Sequence, residues 1–429
     1  MKSITNYLNS MKSMYFMLLA YIPLLMGVTS CRQDEFANYE PEKQQKYSKT
    51  ELIEQALSRI PQTRAENSNA VIMVTIQDTI AFQCHTTETM KVFVDGEEHP
   101  APITEINKDC NHIFTNGFPS HSITIVGSKE AIRELDIDNN GLIMLNVSGN
   151  TNLIDLFCQN NHLDAIGLSG CKELTTLDIS NNEFSFINIE GLPVAMLYAE
   201  NNQLTALDIS KNLEMSTLRL GNNFLKELYI PDHKYLFTLE IENNQLTSLD
   251  LSNCPDLMTL NASFNPITDL NLGKSESLMY VYLEHLPLKT INNHPLDDTS
   301  FAIYPMLWDL NVAYTPFESL DLSHNLMLME LNISRSEITQ LNISNLVMYS
   351  FNATHSKLTN LIGMDSGLKG LHELRIERTP FEEDSLNMSS LALALPPRTG
   401  ISPGHLYTYS PWINYFASDF ERINWVINR

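Results

Sequence analysis

Leu239-Glu-Ile241-Glu-Asn-Asn244-Gln-Leu246-Thr-Ser-Leu249-Asp-Leu251-Ser-Asn-Cys254-Pro-Asp-Leu257 is one unit of a repeat, and the next unit starts at Leu260. Equivalent first positions fall at Leu135, Leu156, Leu177, Leu197, Leu218, Leu239, Leu260, Val281, Leu310, Leu331, Phe351 and Leu374. The spacing is 20 or 21 residues except for 29 after Val281 and 23 after Phe351. Self-similarity at a fixed period of this length marks a solenoid. A single coil cannot bury its own apolar edge. Stacked coils share one elongated core and depend on their neighbours.

Each unit carries two apolar-x-apolar motifs, as in Leu177-Asp-Ile179 and Leu207-Asp-Ile209. Alternate side chains of a strand face opposite ways, so the apolar pair points inward and the residue between points out. The spacing predicts strands on the concave side and short strands or extended turns on the convex side, because a 21-residue coil leaves no room for a long helix. Asparagine follows the first motif at Asn140, Asn161, Asn182, Asn202, Asn223, Asn244 and Asn265. An inward Asn can donate to and accept from the backbone of neighbouring coils, so these residues read as a structural ladder. The position then becomes Leu286, Thr315, Ser336, Ser356 and Thr379, and the second half of the solenoid is less regular.

The 429 residues carry a net charge of −24. An excess of acid argues against nucleic acid, whose affinity comes from Lys and Arg neutralising phosphates. A basic start and the apolar run Tyr15 to Val28 read as a secretion signal over residues 1–30, too short to span a bilayer. Val28-Thr-Ser-Cys31 resembles a bacterial lipobox, which implies that Cys31 is acylated and becomes the mature N-terminus. Without Lys2 and Lys12, the mature chain would carry −26. Cys158, Cys171 and Cys254 fall on inward or repeat-turn positions and read as core. Cys84 and Cys110 share the region before the repeats, where an exported protein could pair them in a disulfide.

Residues 31–47 are polar and read as a tether. Residues 48–130 read as a helix, opened by the capping box Ser48-Lys-Thr-Glu51, followed by a small all-β region. There Ile80, Phe82 and Cys84 alternate with polar or small residues, as do Met90, Val92 and Val94, and Asp95-Gly96 marks a hairpin turn. The repeats occupy 131–379, and residues 380–429 form a C-terminal cap in which Gly404 to Tyr407 reads as a strand. The fold class is therefore mainly β: a solenoid of about twelve coils between a sandwich-like N-terminal region and a cap.

The second-half pattern at Leu207 to Ser210, Leu249 to Ser252 and Leu320 to Ser323 is similar to the internalin-like and nested 21-residue classes of leucine-rich repeat. With the lipobox, the chain resembles a leucine-rich-repeat surface lipoprotein of a Gram-negative bacterium. The resemblance covers roughly residues 130 to 380 and departs at the long unit after Val281 and wherever Asn is lost. It implies a non-enzymatic protein, anchored in the outer membrane by lipid alone and facing the exterior, that binds a protein or glycan outside the cell. The alternative is a structural or assembly lipoprotein that holds partners within its own envelope. No ligand carries over, since specificity lies in the variable positions.

No catalytic or phosphate-binding motif is present, and the histidines are too scattered for a metal site, so neither enzyme activity, a cofactor nor a metal is expected. The outward positions supply the candidate site instead. In the first six units they are mostly small or acidic: Asp136, Asp178, Glu200, Glu240 and Glu242. Around the eighth unit they become Tyr280, Tyr282 and Glu284. The position before the ladder residue, Asn in six units, becomes Phe264, His285, Tyr314, Arg335, His355 and Arg378. An insertion within Asn292 to Asp309 brings Phe301, Tyr304 and Trp308. Phe264, Tyr280, Tyr282, His285, Trp308 and Tyr314 are thus the candidate ligand-binding residues, with the insertion at the rim of their patch. Alternatively, the insertion folds down and its aromatics seal an irregular coil.

Overall fold

The computed structural model of the protein describes residues 47–61, 70–99, 108–113 (backbone alone), 118–396, 403–410, 413 and 425–428. Cys31, the signal and nearly all of the tether lie outside them. In the solenoid, each first motif forms a short strand whose first apolar residue is buried, in most coils between partly exposed neighbours, as in Thr217–Arg219 and Thr238–Glu240. The strands pair in parallel and in register, so that Leu197, Leu218, Leu239 and Leu260 stand side by side. Twelve coils, numbered here from Leu135 to Leu374, stack this way. Two further strands, Gly404–Tyr407 and Trp425–Asn428, continue the sheet in parallel, with Leu406 beside Leu374 and Ile427 beside Leu406. The cap thus extends the sheet as well as covering its end.

The second motif is extended throughout. It forms hydrogen-bonded strands in three patches: Leu142–Asn146 with Ile166–Gly167, then from Ser248–Asp250 to Thr290–Ile291, and from Ser319–Asp321 to Asn360–Ile362. Elsewhere, as at Leu207 and Ile209, the residues are buried without a strand ladder. Short strands and extended turns are therefore what the convex side contains.

The N-terminal β region continues both sheets. Thr79–Thr86 pairs antiparallel with Ile132–Asp136 of coil 1, and Val71–Thr75 pairs antiparallel with Leu142–Asn146. One apolar core runs from Val71 and Ile80 through the coils to Trp425. All of Val71–Thr75 is buried: Val71 and Met73 face that core, while Val74 lies under Leu52 and Ala56 of the helix Lys49–Leu57. Ser48 caps this helix as expected, its backbone N–H donating to Glu51 at 2.7 Å and its hydroxyl accepting from the Glu51 N–H at 3.3 Å. At the Asp95–Gly96 turn, Gly96 has φ +87°, and a Cβ there would collide with the Arg59 carbonyl, so only glycine fits. Cys110 stands opposite Phe82, and Cys84 opposite Lys108. A Cys84–Cys110 disulfide would therefore join diagonal neighbours, and the Cys110 side chain lies outside the described residues.

The asparagine ladder carries the backbone bonding of coils 1 to 7. Asn202 Oδ1 accepts from Phe184 N at 3.0 Å in the preceding coil. Its Nδ2 donates to Ile179 O at 2.9 Å and Ala199 O at 3.2 Å, one in each coil. Asn140 links coil 1 to the N-terminal strand by accepting from Ala81 N and donating to Ala81 O. Beyond Asn265 the residues at this position bond locally among the described residues: the Ser336 hydroxyl donates to Ile333 O and accepts from Ile338 N, and that of Thr379 donates to Ile376 O and accepts from Glu382 N. The insertion sits at this change. Phe301 and Tyr304 are fully buried. The Tyr304 hydroxyl donates to Gly273 O and accepts from Asn292 Nδ2, both at 2.9 Å. These aromatics seal the irregular coil, so the insertion does not present them at the rim of an exposed patch. Two large rings and a satisfied hydroxyl are worth more inside, where the long unit leaves a gap to fill.

Candidate functional site

In every coil the residue before the ladder position has a left-handed backbone. In coils 1 to 6 it is asparagine, from Asn139 at φ 55° to Asn243 at 53°. Asn tolerates this conformation; a bulky L-residue is strained there by roughly 1–2 kcal/mol. Coils 7 to 12 nevertheless hold Phe264, His285, Tyr314, Arg335, His355 and Arg378 in it, at φ 54° to 60°. Strain of this kind persists where the side chain has a role the backbone must accommodate.

These side chains form a trailing column along the exit edge of the concave strands. The Phe264 and His285 rings stack at 4.7 Å and 27°. Those of His285 and Tyr314 stack at 3.7 Å and 22°. The Arg335 guanidinium carbon lies 5.4 Å from the Tyr314 ring centre. Arg378 Nη1 donates to His355 Nε2 at 3.2 Å, and its guanidinium lies over Tyr409. Desolvation, then the Arg335 and Arg378 cations, holds the His355 pKa below its usual value, which keeps the ring neutral and able to accept. Among the described residues no carboxylate lies within 4.0 Å of the Arg335 or Arg378 guanidinium. A recess of about 390 Å³ opens beside the column between His285, Pro287, Tyr314, Pro316, Arg335 and Glu337.

A second column follows the opposite edge. Two residues before the first apolar position stand Phe237, Met258, Met279, Trp308, Met329, Tyr349 and His372 in coils 6 to 12. Each donates its backbone N–H to the carbonyl of the one before, from Met258 to Phe237 at 2.9 Å through His372 to Tyr349 at 2.8 Å. The side chains are therefore held one per coil. Phe237 and Tyr349 are exposed, the others partly so, and the Tyr349 and His372 rings stack at 4.2 Å. In coils 2 to 5 the same position holds Ile154, Thr175, Ala195 and Ser216. Between the columns lie Tyr280 and Tyr282, with Asn311, Asn332 and Asn352 in the following coils. The Tyr282 hydroxyl donates to Asp309 at 2.7 Å.

The structure thus brings Phe264, His285 and Tyr314 together and puts Tyr280 and Tyr282 on the strand beside them. Trp308 lies at the other end of its strand from Tyr314, in the leading column. Sequence reasoning found the trailing column and missed the leading one, since a residue ahead of a three-residue strand reads as loop. Aligning the coils at that position would have exposed the change, from Thr175, Ala195 and Ser216 to Met and aromatics.

The first half of the concave face is chemically different. Burial and the neighbouring Asp138 push the Asp136 carboxyl up to about 7. Burial likewise raises Asp178, Glu200 and Glu242. Arg219, 3.4 Å from Glu240, is the base set among these acids. Burial pushes the Cys171 thiol to about 11 and that of Cys254 to about 12, which suits inert core residues.

No family model and no curated protein sequence matches the chain. Solved structures do. A leucine-rich-repeat protein of Leptospira interrogans is 20% identical, over 61% of this chain and 81% of that one, with a TM-score of 0.50. The functional domain of InlJ from Listeria monocytogenes is 20% identical, over 64% of this chain and 68% of that one, at 0.44. YopM from Yersinia enterocolitica is 23% identical, over 64% and 60%, at 0.45. The Leptospira likeness is one of fold: the solenoid is a leucine-rich-repeat solenoid.

Proposed function

We propose that the chain is a non-enzymatic, exported binding protein, anchored to the outer membrane through lipid on Cys31. The concave face of its second half would hold a protein or glycan outside the cell. One observation carries this reading: six consecutive coils accept a strained backbone to set Phe264, His285, Tyr314, Arg335, His355 and Arg378 in a surface column. Asparagine fills the same position without strain in the preceding six, so folding alone does not require these residues. Exposed aromatics and arginine are what recognition surfaces are enriched in.

Tyr314→Ala combined with Arg335→Ala tests the reading. The immobilised protein is presented with a glycan array and with surface-protein extracts. The double variant should lose at least tenfold in binding while its melting temperature stays within a few degrees of the parent. Unchanged binding, or an unfolded variant, contradicts the proposal.

A further inference from the structure

This inference rests on the reading of the second-half concave face as a binding surface. We infer that its occupant is an amphipathic α-helix of a partner protein, laid along the solenoid axis, with its apolar stripe on the Phe237–His372 column and an acidic flank on Arg335 and Arg378.

Three observations select a helix. The first is the repeat distance. Backbone hydrogen bonds join each leading residue to the next, so the column repeats at the strand spacing, about 4.8 Å. A helix offers one apolar row per turn of about 5.4 Å. An extended segment presents same-face side chains every 6.6–6.8 Å or so, and falls a whole coil out of step within about three coils. From Phe237 to His372 the column spans six spacings, roughly 29 Å, or about five helical turns. The second is width. Six residues of near-extended chain separate a leading residue such as Met279 from its trailing partner His285, about 20 Å at most, and a helix about 10–12 Å across sits between the columns. The third is chemistry. Met258, Met279 and Met329 are unbranched and adaptable, as in grooves that accept helices.

Charge and stacking then fix the flank. Arg335 and Arg378 present donors without a carboxylate among the described residues, in a chain of net charge −24. Stacking covers both faces of His285 and one face each of Phe264 and Tyr314, leaving the ring edges of all three uncovered by the stack. Aromatic edges carry the positive end of the ring quadrupole and attract anions. A sugar needs a free ring face, which His285 at the centre of the stack does not offer.

The test selects a displayed library of random 20-residue peptides on the wild-type protein. Enriched peptides should be amphipathic and acidic along one flank, and should gain helicity by circular dichroism on binding. Arg335→Glu with Arg378→Glu should weaken them at least tenfold, and replacing the acidic flank by Lys should restore binding to that variant. Met279→Glu should abolish binding by either peptide. Absence of enrichment, enrichment of extended or proline-rich peptides, or indifference to the charge swap overturns the inference. So does sedimentation showing that a second copy of the chain occupies the face. If the peptides fail while Tyr314→Ala with Arg335→Ala still loses ligand, only the helix is wrong; if both fail, the binding surface itself is wrong.

Discussion

At the scale of single residues, one backbone conformation recurs twelve times and is filled in two ways. Asn139 to Asn243 occupy it cheaply; Phe264 to Arg378 occupy it at a cost. Arg335→Asn should therefore leave stability unchanged or raise it by up to about 1 kcal/mol, because it relieves strain and gives up only an exposed cation–π contact. Urea unfolding would show this, and a loss of 1 kcal/mol or more would mean that Arg335 is held there for the fold. The ladder residues behave in the opposite way. Asn202→Ala leaves Phe184 N without an acceptor in the interior, while Ile179 O and Ala199 O lose one donor each and keep Asn182 and Asn223. A loss of about 1–3 kcal/mol is expected in the same assay. A loss below 0.5 kcal/mol would show that water takes over those bonds.

At the scale of elements, the twelve strands and their register were legible in the sequence, because the apolar period fixes which residues face the core. Leu239, Leu260 and Val281 stand side by side as that period requires. The asparagine ladder was legible for the same reason. Less could be read where one position serves two purposes. The Val71 strand is buried on both faces because a helix covers its second side, and alternation cannot report that. Phe301 and Tyr304 look the same in sequence whether they seal a coil or line a surface, and the hydrogen bonds of Tyr304 decide for sealing. The leading column was hidden because Phe237, Met258 and Met279 lie outside the motif that defines the repeat. The strand Ile132–Asp136 also predicts a pH response. Asp136 holds its proton up to about pH 7 in the fold, whereas an unfolded Asp releases it near 4. Its folded form therefore binds more protons across that window, and stability falls as pH rises from about 4 to 7. Melting temperature measured from pH 4.5 to 8 should decline, and Asp136→Asn should flatten the decline. An identical slope in the variant would assign the effect elsewhere.

At the scale of the molecule, one core joins the N-terminal β region, the coils and the terminal strands. Its concave surface changes along its length: Met, aromatics and Arg gather in the two columns of the second half, while carboxylates line the strands of both halves, Asp178, Glu200 and Glu242 in the first and Glu284, Asp309 and Glu330 in the second. Such a surface acts only where its partner is, which gives the proposed anchor its importance. Cys31→Ala should release the protein from membranes or stop its maturation, since stable anchoring needs more than one acyl chain. Sedimentation of that variant with the outer membrane, at unchanged mass, would end the lipid proposal. The most direct test of the binding surface is photo-crosslinking on intact cells, with a benzoylphenylalanine placed singly at Met279, Tyr314, Asp178 or Tyr229. Tyr229 lies on the second motif of coil 5 and is 74% exposed, which makes it a control for mere accessibility. Adducts from Met279 and Tyr314, with none from Asp178 or Tyr229, are predicted. Adducts from Asp178 or Tyr229, with none from Met279 and Tyr314, would contradict the account.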